Sequence, residues 1–165
     1  MPVRLLVEEG PHPGVARALV LRRARVMLEA VQCPEAEWSI VLTGDAQIQK
    51  LNRIYRHKDR PTDVLAFAQQ EGELAEQAGA VLGDVIVSVP TARRQAEESR
   101  RSVADEVTTL LAHGLLHLLG WDHDTDARDR RMKRETARLC AAASAPAPPK
   151  KRTARARRKT TRTRR

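Results

Sequence analysis

The apolar positions of this chain switch between the two periods that regular structure allows, and the switches divide it into elements. Val3 to Val7 is a short apolar run that predicts a strand. From Gly14 to Val31 the residues Val15, Leu19, Met27, Leu28 and Val31 recur at helical spacing, and Trp38 to Thr43 alternates as a second strand. Strand, helix and strand in that order predict a parallel pair with a right-handed crossover. The next helix is expected from Asp45 to Arg56, with Ile48, Leu51, Ile54 and Tyr55 on its buried side, and the turn Lys58 to Asp63 ends it. Strands follow at Val64 to Phe67 and Leu82 to Val89, predicted as an antiparallel pair across a polar loop. A helix runs from Thr91 to Arg100, and Ser102 with Asp105 has the spacing of a capping box that opens another. Asp126 to Ala142 forms the last helix, with Met132, Thr136 and Leu139 facing inward. The pattern predicts an α+β domain: a small mixed sheet of about four strands packed with helices, one of which carries a cluster of histidines.

Composition narrows this picture. The chain of 165 residues is one domain's worth, and with only Trp38, Tyr55, Phe67 and Trp121 as aromatics its core must be aliphatic. No internal repeat is visible. No apolar run approaches the roughly 20 residues of a membrane span, and Met1-Pro-Val-Arg4 lacks a signal-peptide pattern, so the expectation is a cytoplasmic protein with no membrane partner. Cys33 and Cys140 read as buried thiols rather than a disulfide framework or extra metal ligands.

The net charge of +9 is localised. Ten of the thirty Lys and Arg residues fall between Lys150 and Arg165, where there are no acids, so residues 1–149 hold twenty cations against twenty-one acids. The body is near neutral. The Pro/Ala-rich stretch before the tail reads as an extended hinge, and residues 143–165 as a whole are expected to be disordered. Lys150, Lys151, Arg152, Arg155, Arg157, Arg158 and Lys159 would bind phosphate backbones without sequence preference, or serve only to solubilise.

The sharpest chemical signal is His113-Gly-Leu-Leu-His117-Leu-Leu-Gly120-Trp-Asp-His123, which holds three of the five histidines in eleven residues. Residues four apart on a helix share a face, so His113 and His117 can point at a common atom. Gly120 then caps the helix, and the reversing chain can return His123 to the first two rings. Three imidazoles with a fourth position left for water are the layout of a catalytic zinc site. Zn2+ is the expected cofactor, one ion per chain, although nickel, copper or manganese also bind imidazole. The pattern matches the metzincin proteases at every histidine and at the glycine, but their general-base glutamate is replaced by Gly114, which disfavours peptide hydrolysis by that route.

The same segment resembles the signature H-G-x-L-H-L-x-G-x-D-H of the YbeY-type endoribonucleases. Leu51-Asn52-Arg53-Ile54-Tyr55-Arg56, Lys58-Asp59 and Pro61-Thr62-Asp63-Val64-Leu65-Ala66-Phe67 are similar to a second block of that family, and Leu82-Gly83-Asp84-Val85-Ile86 to a third. The resemblance covers residues 1–142 and departs at Ala66 and Ala68, where serine and proline are usual, which leaves the local strand ending open. It implies a single-strand-specific, metal-dependent endoribonuclease of small-subunit ribosomal RNA 3′-end maturation and ribosome quality control. Its partners would be ribosomal RNA, the pre-ribosomal small subunit, ribosomal proteins or an assembly GTPase.

The resemblance also gives Arg56 a part in activity, whereas the residues alone leave it an exposed helix-end cation. A guanidinium can hold two phosphate oxygens at once. Asp122 is a candidate for orienting a histidine ligand, with turn capping as the alternative. Asp63 and Asp84 read as turn formers, and His57 as solvent-facing. Arg93, Arg94, Arg100 and Arg101 offer an RNA-facing patch unless they pair along the helix surface. A mainly non-catalytic ribosome-assembly binding factor is the alternative of a different class.

Overall fold

The computed structural model describes residues 2–69 and 80–146. In chain order its elements are β1 (Val3–Val7), α1 (Arg17–Ala30), β2 (Glu37–Thr43), α2 (Asp45–Arg56), β3 (Val64–Ala68), β4 (Val81–Ser88), α3 (Val89–Glu98), α4 (Val103–Leu118) and α5 (Asp126–Ser144). The strands form one mixed sheet in the order β1-β2-β4-β3. β1 and β2 are parallel, with Leu5 opposite Ile40; β2 and β4 are parallel; β3 and β4 are antiparallel, with Leu65 opposite Ile86. Strand β3 runs through Ala66 and ends at Ala68.

Successive strand residues face opposite sides of a sheet, and the two faces here are covered unequally. Trp38, Ile40 and Leu42 of β2 with Val85 and Val87 of β4 join the main core beneath α1, α3, α4 and α5. The intervening Ile86, with Leu65 of β3, meets Ile48 of α2 in a separate small cluster on the other side. Helix α2 is thus alone on its face among these helices. That explains one departure from the helical pattern: Ile54 and Tyr55, predicted inward, are 50% and 63% exposed. The last turn of α2 extends beyond the small cluster, and Asn52 takes the buried place, donating from Nδ2 to the Arg60 carbonyl at 2.9 Å.

Other boundaries shift by a turn or less. Helix α1 begins at Arg17 rather than Gly14, whose φ of +83° suits a turn and not a helix. Helix α3 begins at Val89, with Ser88 as its N-cap and a proline in the first turn, where a missing N–H costs nothing. Helix α5 continues past Ala142 to Ser144 and buries Ala143, so residue 143 belongs to the body and not to the hinge. Met132 and Leu139 are buried as predicted and Thr136 is half-buried. Cys33 and Cys140 are half-buried thiols that form no disulfide among the described residues. The cationic tail from Lys150 onward lies outside the described residues.

Candidate metal centre

Helix α4 is built to lie flat on the sheet. Ser102 caps it, its side-chain oxygen accepting from the Asp105 N–H at 3.1 Å as the capping-box spacing predicts. Arg23 of α1 ties down the first turn, donating to Asp105 at 3.0 Å and to Thr108 at 2.7 Å. Val107, Leu111, Leu115 and Leu116 are buried. Gly114 completes the seat: a Cβ there would stand 2.6 Å from Val85 Cγ1 and 2.9 Å from Cγ2. The position that carries a glutamate in metzincins is therefore pressed against β4, and no side chain fits there.

His113 and His117, one turn apart, have Nε2 atoms separated by 3.0 Å. The helix ends in a left-handed Gly120 at φ +88°, with Gly120 N–H donating to the His117 carbonyl and Trp121 N–H to that of Leu116. These two bonds are the pattern that closes a helix with a glycine beyond its cap. They turn the chain so that His123 faces the pair, its ring centre 6.0 Å from that of His113 and 5.4 Å from that of His117. One nitrogen from each of the three lies within 4.8 Å of the others, forming a group that could hold a metal ion. Two of the rings are half-buried and the third is exposed, which leaves the group open to solvent.

The electrostatics suit a ligand set. Burial holds His113 below the ordinary imidazole range, and the His123 charge adds to this, while Asp63 and Asp129 oppose it. His117 is lowered by burial first, then by His113, His123 and Arg56, against Asp122. Neutral imidazole is the form that binds a metal, so these shifts keep His113 and His117 ready for one. The donor set, all nitrogen and open on one side, fits zinc of the catalytic kind.

Arg56 is exposed at the end of α2, near enough for its charge to oppose protonation of His117. Asp122 accepts from the His123 backbone N–H at 2.7 Å, which is the turn-capping alternative; its charge also favours protonation of His117. Asp63 forms its turn, accepting from the Val64 N–H at 2.8 Å and from Gln95 at 3.3 Å. It also lines a cleft of about 630 Å3 beside His113, together with Leu110, Met132 and Asp129. Asp129 has no signal in the sequence; it enters the site only because α5 packs across α4. His57 is exposed, as predicted.

The predicted arginine patch is largely engaged within the fold. Arg93 donates to the Pro13 carbonyl at 2.6 Å, Arg94 pairs with Asp45 at 2.9 Å and Arg101 with Glu106 at 3.1 Å. Asp45 is a residue whose part the sequence does not announce. Placed at the first position of α2, it accepts from the Ser88 and Thr91 hydroxyls, each at 2.6 Å, and so fastens α2 to the junction of β4 and α3.

Comparison with known proteins agrees with this construction. The family model described as Endoribonuclease YbeY matches residues 16–144. Proteins named Endoribonuclease YbeY from Anaeromyxobacter sp. (strain Fw109-5) and Geobacter metallireducens are 46% and 42% identical to this chain. The first alignment covers 86% of this chain and 72% of the relative, the second 81% and 89%. The solution structure of TM1509 from Thermotoga maritima shares the fold, with a TM-score of 0.61 at 23% identity over 86% of this chain and 88% of that one. No helix among the described residues is long and apolar enough to cross a membrane. A trio of converging imidazoles on a sheet-seated helix, carried by a sequence this similar to those relatives, makes the chain a member of the YbeY endoribonuclease family.

Proposed function

We propose that this protein is a single-strand-specific endoribonuclease that uses zinc at His113, His117 and His123 and acts in the cytoplasm on ribosomal RNA of the pre-ribosomal small subunit. The observation that carries the reading is the convergence of three imidazoles at one solvent-open place, two of them held toward the neutral form by burial, with the Arg56 charge acting on His117. A bound ion supplies Lewis acidity toward water or a phosphoryl oxygen. Arg56 holds the scissile phosphate: its planar fork grips two oxygens and offsets the negative charge that grows there during displacement. The cleft beside His113 receives the strand, with Leu110 and Met132 as apolar wall. Gly114 provides no carboxylate, so the proton of the attacking group goes to another acceptor, and the glutamate route of peptide hydrolysis is closed at this position.

The test combines metal analysis of the purified full chain with cleavage of single-stranded and duplex RNA of the same sequence. One zinc per chain is expected, with cutting confined to the single strand. His117→Ala should remove both the metal and the activity. Arg56→Ala should keep the metal and lose at least about a hundredfold in rate, as removal of one stabilising donor does elsewhere. Undiminished cleavage by metal-free His117→Ala would refute the proposal.

A further inference from the structure

Tyr55 is the one tyrosine of the chain, and it is exposed although its spacing on α2 predicts burial. Single exposed apolar residues are ordinary. Three features set this one apart. Its ring is braced by Phe67 of β3, with centroids 5.2 Å apart and planes inclined by 59°, and Phe67 is itself packed against the small core under α2. Within five residues of it along the chain are the exposed cations Arg53, Arg56, Lys58 and Arg60, against the acid Asp59, whose carboxylate accepts from Gln49. And it directly precedes Arg56, whose charge acts on His117. A supported aromatic surface within a cationic collar is how proteins hold unpaired nucleotides: the cations track the backbone and the ring stacks a base. A base inside a duplex is already stacked on both faces and has none to offer, so such a platform selects single strands.

We propose that Tyr55, braced by Phe67, stacks one base of single-stranded RNA beside the phosphate held by Arg56, and so determines the preference for unpaired over duplex RNA. This rests on the endoribonuclease reading and adds a residue to it. The test uses the full chain without metal, so that RNA survives, and a short fluorescein-labelled single-stranded oligoribonucleotide, with binding followed by anisotropy at raised salt to suppress phosphate contacts. Tyr55→Ala should bind roughly tenfold more weakly, the scale of one lost stacking contact. Tyr55→Trp and Tyr55→Phe should bind as the wild type does, and duplex binding should not change.

A set of oligonucleotides, each with one abasic position, makes the test independent of any disturbance to the fold. One abasic position should cost the wild type roughly tenfold and cost Tyr55→Ala nothing, because the base and its platform are then both absent. Wild-type protein that fails to bind the single strand, Tyr55→Ala that binds it within twofold of wild type, or an abasic penalty that persists in Tyr55→Ala would each overturn the inference. The endoribonuclease reading is judged separately, by whether the zinc-loaded wild type cuts the same oligonucleotide.

Discussion

Gly114→Ala tests how closely α4 sits on the sheet. The added methyl would lie 2.6 and 2.9 Å from the two Cγ atoms of Val85, well inside the separation at which carbon atoms attract. Val85 is buried on a strand with neighbours on both sides, and a β-branched side chain has few rotamers into which to retreat. The helix must move, and overpacking of this kind costs about 1–3 kcal/mol. Alanine returns about 0.8–1.0 kcal/mol as the better helix former. With two methyl groups struck at once the clash belongs in the upper half of its range, and the net loss is about 1–2 kcal/mol. In a Val85→Ala background both obstructing methyls are gone, and the same substitution should gain up to about 1 kcal/mol. Urea unfolding of the four metal-free proteins closes the cycle, with a coupling of about 2 kcal/mol expected. Additivity within about 0.5 kcal/mol would refute the close seating of α4. His113 and His117 flank the glycine, so zinc titration of Gly114→Ala should also show weaker binding.

Asp45→Ala should cost about 2–3 kcal/mol in chemical denaturation, because it strips hydrogen bonds from the fully buried Ser88 and from Thr91 and leaves Arg94 unpaired. Burial raises the Asp45 carboxyl, but bonds from Ser88, Thr91 and Arg94 outweigh it and hold the group below the ordinary carboxylate range. Its folded pKa thus lies below the unfolded one. The stability it contributes is complete above the ordinary carboxylate pKa and is lost as pH falls through the depressed folded value, so the wild-type advantage over Asp45→Ala should shrink in strongly acidic buffer. For His113 and His117, both depressed, the unfolded chain takes up protons first as pH falls below about 6.5. The metal-free protein should therefore lose stability on acidification from there, and His113→Ala/His117→Ala should flatten that part of a melting-temperature profile. Gly120→Ala meets nothing within 4 Å, so its cost is backbone strain alone, about 1–2 kcal/mol by thermal unfolding, with weaker zinc binding as His123 loses its approach.

The histidine trio was legible in the sequence because all of it is local. A four-residue spacing and a glycine cap fix three ring positions through backbone geometry, without reference to any distant residue. The parallel pairing of β1 with β2 and the antiparallel pairing of β3 with β4 were equally accessible, since period-two alternation and short connections leave few choices, but the β2–β4 pairing that joins them into one sheet was not. What stayed hidden depends on contacts made across the sequence. Nothing near Tyr55 tells how far the sheet extends beneath α2, and that extent decides that Asn52 is buried while Ile54 and Tyr55 are exposed. Asp129 and Asp45 acquire their surroundings from α4 and from β4 with α3, far along the chain. Gly114 has a visible chemical meaning, the missing base, but its steric meaning required the position of Val85.

Helix α2 rests on its own side of the sheet through a nucleus of three buried side chains, Ile48, Leu65 and Ile86, whereas the imidazoles ride on the thick layer opposite. The three histidines and Arg56 are consequently mounted on supports of unequal strength. Fraying at the C-terminal turn of α2 would displace Arg56 while leaving the three imidazoles where helix α4 and its glycine turn hold them, so the two parts of the proposed site would fail separately.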